Sequence, residues 1–247
     1  MENLAEKTTQ QPAGPTEQPK GSLWRLQGIF FQPKETFQEI ARKPTWLIAL
    51  VLCIVIGMVG FIVIMDRIGF DNMMAKQVEA RGQEMTEQQR EMMSSPAVKG
   101  FTYGMVIIGT PVVVLLTAGL LLALFWLTGA DVTFSRVFSV VAHSMLAFTL
   151  VSTVLGLVIV LVAADPTELD VQNLVASNLG ILVSAKESPA LFSLLSSIDA
   201  LTFYYLFLLS LGMSVVGRKS FGTGAAMVLI LWVVYVALKT GWVSLMT

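Results

Sequence analysis

Residues Thr45–Met65 run for twenty-one positions without a single charged side chain. About 20 apolar residues are what an α-helix needs to cross the hydrocarbon core of a bilayer. No water is available there to satisfy the backbone, so every N–H and C=O must be closed inside a helix. This one stretch commits the chain to a membrane and to α-structure. Pro44 marks a change of character, because the residues before it, from Phe30 to Lys43, are amphipathic and basic instead.

Hydropathy then places four further spans, at about 101–127, 137–163, 198–216 and 223–246. The expected fold is all-α: a polytopic bundle of five transmembrane helices. The spans over 101–127 and 137–163 are longer than a crossing requires, which calls for tilt or projection beyond the bilayer. Ile198–Val216 is the shortest and carries an acid, Asp199. Small residues spaced four apart (Gly119 with Ala123, Ser152 with Gly156, Ala237 with Gly241) are places where helix backbones can approach closely. Charged residues make up 13% of the chain, against roughly 25% in soluble domains, and this leaves room for one membrane domain over 22–247. Residues 1–21 are polar and proline-containing and read as a disordered tail without a signal peptide.

Ser22–Phe31 and Pro33–Lys43 read as two short helices, with Ser22 as N-cap and Pro33 in a first turn. Leu23, Leu26 and Phe30 recur at helical spacing in the first, and Phe37, Ile40 and Ala41 in the second. Trp24, Arg25, Lys34, Phe37, Arg42 and Lys43 form the candidate interfacial set, aromatic and basic together. Such a pair can lie in the headgroup plane with its apolar face down. It can equally pack on the cytosolic ends of the bundle, and the sequence leaves both open.

Two connections are long. Residues 66–100 contain Thr86-x-x-Gln89, the pattern of a capping box, ahead of a charged helical piece ending near Pro96. The connection 165–197 contains Leu174, Val175, Leu179, Ile181, Leu182 and Val183, too apolar for a solvated loop and too short to span. A re-entrant or interfacial segment is expected there. Counting Lys and Arg near the helix ends, a cytosolic N-terminus puts seven on the cytosolic side against six opposite. The pairs Arg42-Lys43 and Arg218-Lys219, close to span ends, tip orientation the same way.

Catalytic chemistry has little to work with. A single histidine, His143, and a single cysteine, Cys53, exclude the usual zinc motifs, and no Gly-x-Ser-x-Gly elbow occurs. The run Gly212-Met-Ser-Val-Val-Gly217-Arg218-Lys219-Ser220 nearly copies a phosphate-binding loop. An extra arginine displaces its lysine, and it ends a membrane helix rather than linking a strand to a helix. No metal or cofactor is expected. Net charge is −1, so no basic field draws nucleic acid. The ionisable residues within spans are His143, Asp199 and Lys239; such groups are costly in lipid and default to functional candidates. For His143 the simplest expectation is a neutral ring hydrogen-bonded between helices. Asp199 and Lys239 are expected on the same side of the membrane, either as an ion pair or separately. In the second case Asp199 caps its helix and Lys239 reaches for headgroups.

Three motifs occur in order: Pro33-x-x-Thr36-Phe37-x-x-Ile40 with Lys43-Pro44, then Val137-Phe138-Ser-Val-Val-Ala-His143, then Ser197-Ile198-Asp199. Together they resemble the Yip (Ypt-interacting protein) membrane family, and in particular its short bacterial members, over roughly Trp24 to Trp242. The resemblance implies a five-helix domain with a cytosolic N-terminus. Eukaryotic members of that family bind Rab-type GTPases in traffic between endoplasmic reticulum and Golgi and carry a long cytosolic N-terminal region. Here about forty-four residues precede Thr45.

Two functional readings follow. The first is a non-enzymatic membrane organiser whose partners are the bilayer, other membrane proteins or copies of itself, with GTPase binding as the family's narrower implication. The second is a transporter or channel, motivated by His143, Pro111 and the apolar connection. A conduction path requires several polar residues facing one cavity. The expected location is a bacterial cytoplasmic (inner) membrane, or the endoplasmic reticulum or Golgi membrane in a eukaryote.

Overall fold

The computed structural model describes residues 21–79 and 85–246. The tail expected over 1–21 lies, but for Gly21, outside these residues. Ten α-helices occur among them: α1 (Ser22–Phe31), α2 (Pro33–Arg42), α3 (Leu47–Ile68), α4 (Phe70–Glu79), α5 (Glu87–Met93), α6 (Pro96–Leu127), α7 (Phe134–Val162), α8 (Pro189–Leu195), α9 (Ala200–Val216) and α10 (Phe221–Met246). No strand is present among the described residues beyond an isolated bridge between Asn178 and Asp199.

Four helices, α3, α6, α7 and α10, are each long and apolar enough to cross a bilayer. The fourth expected span in chain order, α9, has 17 residues and falls in the shorter class. At 1.5 Å per residue it is about 26 Å long, somewhat less than a ~30 Å hydrocarbon core. α9 packs against α7, α10 and α2 and buries Leu206, Leu208, Leu209, Met213 and Val216. Its ends meet protein, α2 at one and the 163–199 connection at the other.

Some boundaries move outward from those expected, while α3 and α9 each start two residues later, at Leu47 and Ala200. α3 continues past Met65 through Asp66 and Arg67 to Ile68, and α6 starts five residues before Phe101, at Pro96, with Ser95 as its cap. The capping box at Thr86 and Gln89 is formed, and its helix ends at Met93. Ser22 is the first helical residue of α1 rather than its cap; Gly21 holds that place.

Close helix contacts fall at other small residues than those singled out. A Cβ on Gly119 or Gly241 would meet nothing within 4 Å, whereas one on Gly60 would lie 2.4 Å from Thr153 Cγ2. On Gly212 it would lie 2.5 Å from Val140 Cγ1 and 2.8 Å from the Phe37 ring, and on Gly224 2.5 Å from the Ser210 carbonyl oxygen. Gly60 thus seats α3 on α7, Gly212 seats both α7 and α2 on α9, and Gly224 seats α10 on α9. Of the expected pairs, Ser152 with Gly156 does face a neighbour, since Gly156 lies against Leu174 and Ile64.

α1 and α2 sit on one end of the bundle. Ile29, Phe37 and Ile40 are fully buried and belong to the same core as Val137, Val140, Leu208 and Met213. Their apolar face is therefore spent on α7 and α9, and the arrangement is the packed one of the two the sequence left open.

Candidate functional site

Polar side chains inside the bundle gather at its two ends. At the α2 end Arg25 is only 2% exposed. Its Nη1 donates to the Lys43 carbonyl and to Thr45 Oγ1, both at 2.7 Å, tying α1 to the linker that leads into α3. Arg25 is thus an internal strap, not part of an aromatic and basic fringe. Phe37, from the same expected set, is also buried, while Lys34, Arg42 and Lys43 are exposed and Trp24 is half-buried. Arg42 pairs with Glu39 at 3.0 Å.

His143 lies at this end too. α7 begins at Phe134, so His143 is nine residues, about 14 Å, from the helix start. Its Nδ1 is 2.8 Å from the Ser139 carbonyl oxygen one turn back. A carbonyl only accepts, so Nδ1 carries a proton. The expected bond between helices is not the one formed; the partner is on its own helix. Ser139 and Ser144 beside it are buried, and Ser210 on α9 bonds back to the Leu206 carbonyl at 2.7 Å.

At the opposite end the 163–199 connection folds over the bundle as short 3-10 turns and α8. Asp199 caps α9, accepting from the Thr202 N–H at 2.7 Å, and takes a second, short hydrogen bond from the Ser177 hydroxyl. An acid at a helix N-terminus complements the macrodipole. Lys239 of α10 donates to Ser197 Oγ at 2.9 Å and to the Ser193 carbonyl at 3.1 Å, with Ser196 Oγ at 3.4 Å. No ion pair joins it to Asp199 among the described residues, and it does not reach out alone. The direct ion pair is corrected to two neighbouring but separate polar sites.

Between α3, α7 and this connection lies an open groove of about 390 Å³. Ser152, Thr153, Ser177, Asn178, Ser196 and Asp199 supply its polar lining, and Phe61, Ile64, Leu174 and Leu201 are among its apolar walls. It reaches down to Gly57, ten residues and about 15 Å of helix from the start of α3. Between its floor and the His143 end the buried positions include Leu50, Leu146, Ala147 and Leu209. Cys53 sits in this stretch, its sulfur 3.2 Å from Thr149 Oγ1. The groove is therefore closed from the other end by packed side chains.

The sequence marked Asp199 and Lys239 but missed Ser177, Asn178 and Ser152 as groove residues. A turn-rich connection gives no periodicity by which its serines could be aimed. Its unusual apolarity was the available signal.

A helical chain with four bilayer-length apolar helices is an integral membrane protein. A family model described as the Yip1 domain matches residues 28–243, most of the chain, and the chain belongs to that family. No curated protein and no solved structure is similar enough to count as a match.

Proposed function

We infer that this Yip1-domain protein is a non-enzymatic membrane organiser that acts by binding, through a rigid platform formed by α1 and α2. The observation that carries the reading is how that pair is mounted. Ile29, Phe37 and Ile40 anchor it to α7 and α9, and Arg25 straps it to the start of α3. The opposite face is left outward: Lys34, Glu35, Gln38 and Arg42 are exposed, with Leu23 and Phe31 as much as 78% and 79% exposed at its edge. A fixed surface mixing charge with two exposed apolar side chains fits a partner protein or the headgroup layer better than it fits catalysis. In this reading the chain has five spans, α9 being the fifth, with a cytosolic N-terminus. Its partners are other membrane proteins or copies of itself, and a Rab-type GTPase is the narrower possibility the family brings. The exposed cations at this end, Lys34, Arg42 and Lys43, match an anionic leaflet, each contributing about 1 kcal/mol near such a surface.

The transporter reading has one observation in its favour, the polar groove ending at Asp199. A Cβ on Gly57 at the groove floor would lie 3.8 Å from Thr149 Cγ2, and His143 is six residues, about 9 Å of helix, away from Thr149, with mainly apolar side chains between. Binding is thus better supported than passage.

Affinity capture of the full chain in mild detergent, wild type against a Leu23→Glu/Phe31→Glu variant, tests the platform. The expected result is a defined set of co-purifying membrane proteins lost in the variant with the fold retained. An identical set from both proteins contradicts it.

A further inference from the structure

The groove beneath the 163–199 connection is not used by the platform reading, and its chemistry is divided along its length. At its upper end is one acid, Asp199. Each of its carboxylate oxygens already accepts one hydrogen bond, from Ser177 and from Thr202 N–H. A carboxylate has about four acceptor positions, so two remain for a donor in the groove. Just behind Ser196, another groove residue, sits the Lys239 ammonium, whose hydrogen-bond partners are the neutral oxygens of Ser193, Ser196 and Ser197. The polar end thus presents a negative group in the groove and a positive charge close behind its wall. A zwitterion complements that pair. Lower down, Ile64 of α3 lies against Gly156 of α7 and Gly57 against Thr149, and with Phe61 the groove runs into the bilayer-length part of both helices. Elsewhere on the same two helices Val59, Ile62 and Val158 are apolar and each about half exposed. A volume of about 390 Å³ falls within the ~300–1,000 Å³ of ordinary ligand sites.

From these features we propose that the groove binds one phospholipid whose headgroup carries a primary ammonium, as in phosphatidylethanolamine. The ammonium donates to Asp199, the phosphate sits toward the Lys239 side of Ser196, and an acyl chain runs along the open seam of α3 and α7 toward Gly57. A quaternary choline headgroup has no N–H to donate and is the weaker occupant; an anionic glycerol headgroup is repelled by Asp199. The inference goes beyond the platform reading and is independent of which end of the bundle is cytosolic, since the groove lies within the length of α3 and α7 in either orientation.

The test uses the purified full chain in detergent, examined by native mass spectrometry with phosphatidylethanolamine, phosphatidylcholine and phosphatidylglycerol of identical acyl chains. A charge-assisted hydrogen bond of the usual strength predicts about tenfold or greater retention of phosphatidylethanolamine over the other two. Asp199→Asn keeps a cap for α9, because Asn is as good an N-cap as Asp, and is expected to erase the preference. A photoactivatable phosphatidylethanolamine with its reactive group on the acyl chain is expected to label wild-type α3 and α7 near Phe61 and Gly156. Equal retention of the three lipids, a preference that survives Asp199→Asn, or labelling confined to other helices each overturns the proposal. So does equally tight binding of chain-free phosphoethanolamine, which would make the occupant a water-soluble zwitterion. Loss of partner capture in the platform variant leaves these outcomes unchanged, so the two readings fail separately.

Discussion

Lys239 and Asp199 share one end of the bundle without sharing a bond: the lysine Nζ lies 2.9 Å from Ser197 Oγ, while the acid two residues further on is held by Thr202 and Ser177. Groups with no common partner respond to substitution independently. Asp199→Ala removes an N-cap and is expected to cost about 1 kcal/mol. In lipid-free detergent, combining it with Lys239→Ala should give a loss equal to the sum of the single losses within about 0.5 kcal/mol. Denaturation of the two single variants and the double variant measures this. A coupling well above that margin would mean that the two charges meet after all.

Gly212 predicts a second effect, on the mounting of the platform. A Cβ there would press on Val140 and on the Phe37 ring of α2. Overpacking of this kind costs typically 1–3 kcal/mol, so Gly212→Ala should lower Tm and expose α1–α2 to protease. Gly119→Ala, where nothing lies within 4 Å, is the control; it removes a helical glycine and should be neutral or stabilising by up to about 1 kcal/mol. Equal Tm changes in the two variants would contradict the contact.

Asp165, just beyond α7, supplies a pH prediction. Hydrogen bonds from Thr167 Oγ1 at 2.6 Å and Thr167 N–H at 2.9 Å hold its carboxyl below the ordinary carboxylate range. A folded pKa below the unfolded one stabilises the turn fully above the ordinary value, and that contribution fades as pH falls through the depressed value. An NMR titration of the labelled side chain should show a depressed midpoint that rises in Thr167→Ala. An unchanged midpoint would remove the hydroxyl as a cause.

Topology is the fourth prediction. With α9 as the fifth span, reporter fusions after Thr247 and within the turn joining α9 to α10 must fall on opposite sides of the membrane, the turn being cytosolic. A cytosolic signal from the Thr247 fusion would contradict the five-span arrangement.

Four of the expected spans were legible in the sequence because a bilayer imposes a length, and Thr45–Met65 meets it by composition alone. The capping box at Thr86 was legible for a similar reason, being set by two side chains three residues apart. Arg25 was not. Its charge reads as surface fringe until Lys43 and Thr45, distant by 18 and 20 residues, turn back to accept from it. His143 was readable as buried but not as bonded to Ser139, since a ring can turn to its own helix or to another. Gly60, Gly212 and Gly224 escaped notice because close approach depends on which face meets a neighbour, and helix register against a partner is a tertiary property. The groove escaped for the same reason: three separate segments build it.

The central claim, that this protein acts by binding through the outward face of α1–α2, is tested most directly by photocrosslinking in intact cells. Photoreactive residues would replace Phe31 and Gln38 on the exposed face, with Ile40 on the buried face as reference. The account predicts discrete protein adducts from positions 31 and 38 that are absent at position 40, and loss of the position-38 adducts when Leu23→Glu is added. Protein adducts from none of the three positions, or the same adducts from position 40 as from the outward face, would contradict it.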